Sequence, residues 1–147
     1  MNQAMPSFSI EKCLPYAQKT LFDIVSDVAA YPEFIPGILE TSVEPLTPQL
    51  FKSWVRFGNS VFQDQYLCQV DLNPCESIII KGIEGPFKYL NSQWIFLVCS
   101  EKPETIVKFS VEFAFKSKIL DYVGRPIFHD LTERMILAFE ERVRNLS

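Results

Sequence analysis

The sequence predicts an α+β fold in which a curved antiparallel sheet wraps around one long C-terminal helix. Three observations predict it. Breakers punctuate residues 38–115 with no helical period between them, and Val107, Phe109, Val111, Phe113 and Phe115 alternate strictly with other residues. After Ser117 the apolar period changes from two to three and four.

The elements follow in order. Residues 7–14 form a short opening strand, and Pro15 precedes a helical segment over 16–28 with apolar Leu21, Phe22, Ile24, Val25 and Val28. Pro32 and Pro36 then break residues 29–36 into a corner. Pro45 and Pro48, Gly58-Asn59, Asn73-Pro74, Gly85-Pro86 and Lys102-Pro103 divide the next stretch into strands of a meander. Leu90, Trp94, Phe96 and Val98 repeat the alternation less cleanly, because Ile95 and Leu97 are apolar too. On the last segment Phe128, Leu131, Met135, Phe139, Val143 and Leu146 make one helical stripe, with a kink or fresh start expected at Pro126. A sheet with one apolar face needs a cover, and this helix is the element long enough to supply it.

With 147 residues the chain fits one domain, residues 1–147, with no repeat or dividing linker. The net charge of −4 argues against a surface that tracks phosphates, and no DNA partner is expected. Arg134, Arg142 and Arg144 alternate with Glu133, Glu140 and Glu141 as on a solvated helix face. Cys13, Cys68, Cys75 and Cys99 include no CxxC pair, and the single His129 is distant from all four, so no metal site is expected. No leader or spanning segment is read from the chain, which suggests a cytoplasmic protein with reduced, mostly buried cysteines.

Acid/base chemistry finds little support. Asp23, Asp27 and Glu33 read as a solvated helix face, Glu112 and Asp121 have no spacing that sets them opposite a substrate, and His129 reads as a surface or capping residue. Phosphate loops and nucleophile elbows are absent as well. No catalytic residue is assigned and no enzyme is expected.

Thirteen Phe against five Gly can fill a core or line a cavity. The candidate lining is Val55, Phe57, Trp94, Phe96, Val111, Phe113, Phe115, Phe128, Leu131 and Met135; each alone reads as core, whereas the set suits an apolar ligand. The candidate rim is Tyr31, Pro32, Phe34, Phe87, Lys88 and Tyr89, with Lys88 or Tyr89 able to donate a hydrogen bond to a carbonyl. Turn chemistry alone explains Gly85-Pro86, and Tyr31, Pro32 and Phe34 suit an anchor or a gate.

The stretches YPEFIP (residues 31–36), EGPFKYLNSQWIF (84–96), VEFAF (111–115) and MILAFEERVRNL (135–146) occur in family order and resemble the coenzyme Q-binding START-like proteins of the polyketide cyclase/dehydrase and lipid-transport superfamily. The bacterial branch of that group includes ribosome-association toxins. The resemblance covers essentially the whole chain and implies a helix-grip fold. It also implies a bound ubiquinone or similar polyprenyl quinone, and a lipid chaperone that supports respiration or quinone synthesis. Transient membrane contact, peripheral to the inner membrane, would suit that role. The alternative it implies is a toxin-like protein that binds a ribosomal subunit and blocks subunit association, and more distant members imply an aromatase or cyclase. In one departure, Gly37-Ile38 replaces the Cys that many relatives carry after YPEFIP, so a thiol role there is absent.

Overall fold

The computed structural model describes residues 8–99 and 102–146; Ser7, expected at the head of the first strand, lies outside them. Seven strands form one antiparallel sheet: β1 (Phe8–Leu14), β2 (Ile38–Thr47), β3 (Leu50–Gly58), β4 (Gln63–Asn73), β5 (Ser77–Glu84), β6 (Phe87–Val98) and β7 (Thr105–Phe115). Their order across the sheet is β1-β7-β6-β5-β4-β3-β2, so β2 to β7 run as a meander while β1 joins the far edge beside β7. Three helices complete the chain: α1 (Gln18–Ser26), α2 (Tyr31–Phe34) and α3 (Lys118–Leu146).

The sheet is curved and α3 lies along its apolar face, which is the helix-grip arrangement. The strict alternation in β7 is obeyed: Val107, Phe109, Val111, Phe113 and Phe115 are all buried toward α3. On β6, Leu90, Trp94 and Phe96 are buried, but Val98 at the strand's end is exposed, because the core stops short of it.

Prolines act differently from a simple reading as breakers. Pro45 sits within β2, opposite Phe51, which is tolerated because β2 is an edge strand and bulges there. Pro32 opens α2 rather than ending a helix, since the first turn has no use for its missing N–H. The segment expected as a helix over 16–28 is α1 followed by a 3-10 turn, Val28–Ala30. Pro126 lies inside α3, which runs unbroken; the proline and Tyr122, whose carbonyl it leaves unpaired, are both exposed, so water can satisfy that oxygen.

Phe128, Leu131, Phe139 and Val143 on α3 are buried as the stripe requires, Met135 is half-buried and Leu146 is exposed. Close approach of helix and sheet depends on Gly124, where a Cβ would stand 2.9 Å from the Phe115 ring. At the β3–β4 turn Gly58 has φ +136°, and a Cβ there would lie 2.1 Å from the Phe62 carbonyl oxygen.

Candidate ligand cavity

Between the sheet and α3 lies an apolar cavity of about 70 Å³. β3 contributes Val55, β4 contributes Tyr66, Cys68 and Val70, and β6 and β7 supply Leu90, Ser92, Trp94 and Val111. α3 closes it with Phe128, Leu131, Thr132 and Met135, and Val28 and Tyr31 reach it from the corner before β2.

Strand periodicity explains who faces inward. Along β4, Tyr66, Cys68 and Val70 share one face, while Gln65, Gln69 and Asp71 take the other. None of Tyr66, Cys68 and Val70 is among the expected lining, although the alternation is present in the sequence. Ser92 and Thr132 are polar, and nothing in their spacing marks them as cavity residues. Thr132 hides its polarity by donating to the Phe128 carbonyl at 3.0 Å.

Six residues of the expected lining reach this wall: Val55, Trp94, Val111, Phe128, Leu131 and Met135. The other four do not. Phe57, Phe113 and Phe115 gather with Phe87 and Phe128 in a ring cluster at the end of the sheet where α3 begins, with Phe87 and Phe115 stacked at 4.6 Å and Phe113 edge-on to Phe128 at 4.7 Å. Rings attract one another edge to face, so a group of them closes up rather than leaving space. Phe96 lines a second small apolar hollow of about 30 Å³ between β1, α1 and the far half of α3, beside the Lys12–Glu140 ion pair.

The expected rim is likewise divided. Tyr31 is buried at the cavity wall, where its hydroxyl donates to the Val25 carbonyl, and its ring meets Phe34 at 6.2 Å and Phe139 at 5.3 Å. Arg142 lies over Phe34, 4.7 Å from the ring centroid, and these contacts anchor the corner. Pro32 is exposed. Phe87 is buried in the ring cluster, and Lys88 and Tyr89 point away from the cavity at a bulge in β6.

The cavity's electrostatics are those of an uncharged lining. Burial pushes the Cys68 thiol up to about 12, and burial likewise raises the phenols of Tyr31 and Tyr66, with smaller contributions from Cys68 to both, from Asp27 to Tyr31 and from Tyr31 to Tyr66. All three are neutral at physiological pH. Tyr66 makes no hydrogen bond among the described residues, so its hydroxyl is a donor available at the wall. Among the described residues no carboxylate or histidine lines the cavity.

Other titratable groups point elsewhere. Asp23 pairs with Lys19, Glu33 with Arg142, and Glu112 accepts from Asn91. His129 is well inside α3, not at its start, with its ring edge-on to Phe8 at 5.5 Å and Nδ1 3.2 Å from Glu133. The four thiols are free, but Cys68 alone is fully buried; Cys13 is exposed and Cys75 and Cys99 are half-buried. Among the described residues no cluster of three or more metal-ligating side chains occurs, and no helix is long and apolar enough to cross a membrane.

Leu131 has a second role in the architecture. It also lines a surface cleft of about 140 Å³ formed by Pro36, Gly37, Gly58, Asn59, Ile127, Asp130 and Arg134. Its side chain therefore separates the interior cavity from solvent.

A sheet gripping a C-terminal helix around an apolar hollow defines a START-like protein. The chain belongs to the polyketide cyclase/dehydrase and lipid transport family, whose model matches residues 14–140. It is 34% identical over 148 residues to the ribosome association toxin RatA of Rickettsia prowazekii, covering 97% of this chain and 99% of that protein. It is also similar to the mitochondrial coenzyme Q-binding protein COQ10 of Drosophila melanogaster, 27% identical over 95% of this chain and 59% of that one. The ZhuI aromatase/cyclase of Streptomyces superposes with a TM-score of 0.81 over 93% of this chain and 92% of that one, at 9% identity, a likeness of fold alone.

Proposed function

We propose that the protein carries a polyprenyl lipid, with ubiquinone or a related quinone as ligand, in the hollow between sheet and α3. One observation carries this reading: the cavity is apolar, and every titratable group on its wall is neutral. Burying one isoprenoid unit contributes on the order of 2–3 kcal/mol, so a few units give useful affinity with no ionic contact. The resting cavity of about 70 Å³ is small beside the roughly 300–1,000 Å³ of drug-sized sites, so loading requires it to widen. The wall most able to give way is Leu131 with flexible Met135, since moving Leu131 joins the cavity to the surface cleft. Tyr66 then replaces Lys88 and Tyr89 as the donor to a quinone carbonyl.

Mass spectrometry of solvent extracts from gently purified protein tests the reading. A polyprenyl quinone is expected in near-stoichiometric amount, and Tyr66→Phe should lower quinone affinity several-fold while leaving loading of a polyprenyl chain without the head group unchanged. Extracts free of polyprenyl lipid, from protein made in quinone-containing cells, would refute it.

Ribosome association is a second reading, favoured by the end-to-end match to a protein named for that activity. Sucrose-gradient profiles of subunits mixed with the purified protein separate the two, since a carrier leaves subunit joining unchanged.

A further inference from the structure

The first half of α3 is apolar on both sides. Gly124 and Phe128 are buried toward the sheet, while Ile119, 77% exposed, and Tyr122, 86% exposed, face outward together with Val123 and Pro126. Positions 119, 122, 123 and 126 fall on one stripe at helical spacing. A helix with an apolar stripe on two opposite faces is normally covered on both. The second half of α3 shows the ordinary pattern, with Asp130 paired to Arg134 at 2.9 Å and Glu133, Glu141 and Arg144 outward.

A loop adds to this stripe. Asn59 Oδ1 accepts the N–H groups of Val61 and Phe62 at 2.8 and 3.0 Å, which fixes the β3–β4 turn with Val61 81% exposed. The Phe62 ring packs on Phe115, 6.5 Å between centroids, and so holds the turn against the end of β7 from which α3 departs.

Lysines accompany these side chains. The Lys116 N–H donates to the Pro86 carbonyl at 2.8 Å, Lys88 follows the Phe87 that stacks on Phe115, and Lys118 stands one turn before Tyr122. All three are exposed, and none joins an ion pair among the described residues, in a chain of net charge −4. Of the acidic residues nearby, Asp121 is held by Arg125 at 3.1 Å, while Asp64 accepts the Gln65 N–H at 2.8 Å and, like exposed Glu84, joins no ion pair among the described residues.

We propose that this end of the molecule, with Ile119, Tyr122 and Val61 set among Lys88, Lys116 and Lys118, docks on an anionic phospholipid bilayer. Apolar side chains enter the interface while the ammonium groups meet lipid phosphates. An RNA surface would use the lysines but has no need of aliphatic side chains held in solvent, and three lysines are few for tracking a phosphate backbone. The Leu131 cleft opens beside Gly58 and Asn59 on the same turn, so docking brings the bilayer to the cavity's closed door. Docking itself rests on surface residues; its use in loading rests on the carrier reading.

Co-flotation of the full chain with vesicles tests it, comparing phosphatidylcholine alone with phosphatidylcholine mixed with phosphatidylglycerol. The protein should float with the anionic vesicles and lose binding as salt rises. Ile119→Ser combined with Tyr122→Ser should lower the partition coefficient at least tenfold, and neutralising each lysine roughly fivefold. Leu137→Ser, an exposed apolar residue on the charged half of α3, should float as the parent does, with unchanged circular dichroism for every variant. Equal flotation with both vesicles, none with either, or unimpaired flotation of the Ile119/Tyr122 variant would overturn the proposal. So would ribosome binding that the lysine changes abolish while flotation persists. Flotation intact in protein whose extracts hold no polyprenyl lipid would sink the carrier reading alone.

Discussion

Two neighbouring regions of the interior are built on opposite plans. Where α3 begins, Phe57, Phe87, Phe113, Phe115 and Phe128 pack against one another with centroids as close as 4.6 Å. One turn farther along, Val55, Cys68, Val70, Val111 and Leu131 face one another across the same gap, and there the cavity opens. The spacing of sheet and helix is set by the large rings, and the smaller side chains beside them cannot span it. Room for a ligand comes from short side chains held apart by long ones, so ring count is a poor guide to a pocket.

The largest effect that would break this comparison is loss of a ring. Phe113→Ala should cost about 3–5 kcal/mol in urea denaturation, as expected for a buried Phe that leaves a void. A cost under about 1 kcal/mol would mean the cluster is not what props the sheet open. Alkaline pH probes the cavity wall next. The Cys68 thiol ionises near 9 in the unfolded chain and near 12 when folded, so above pH 9 the unfolded state sheds a proton that the folded state keeps. Stability should therefore fall as pH rises from 9 toward 12, by roughly 1 kcal/mol per unit at first, with Tyr31 and Tyr66 adding to the loss above 10. Cys68→Ala should flatten the early part of that fall; an unchanged profile would remove Cys68 as its cause. The smallest change in stability, and the sharpest in function, is expected from Val111→Phe. The new ring has the cavity to enter, so the cost should stay within about 1 kcal/mol, below the usual penalty for overpacking, while retained lipid disappears from the extract. A penalty as large as that of Phe113→Ala would show that the hollow offers no usable space.

The architecture was readable because its signals are periodic. Alternation in β7 and the stripe on α3 each name a face, and turn residues mark where the strands stop. Errors arose where context overrides residue type. Pro45 survives within β2 because that strand has a free edge, and Pro126 survives within α3 because Tyr122 can turn its unpaired carbonyl to water. The site was only half legible. Periodicity tells which face is inward, which found Val55, Trp94, Val111 and Leu131, but not how high along the sheet the space will lie. Tyr66 and Cys68 carried the same period-two signal on a strand with many glutamines, and Ser92 and Thr132 look polar until their positions beside the hollow are known. Phe57 and Phe115 are inward as expected, yet only the contacts each makes with Phe87 decide that they fill space rather than bound it.

The pairing of β1 with β7 has a consequence for how the chain is made. Cys13 sits opposite Ile106, so β1 leaves the ribosome well before β7 and waits for it before it has a neighbour. At about 5–20 residues per second, translation of the stretch between them takes on the order of ten seconds. Once β6 has emerged, the nascent meander has an open edge beside it, and completion comes in a single late step when residues 105–115 emerge and are claimed from both sides.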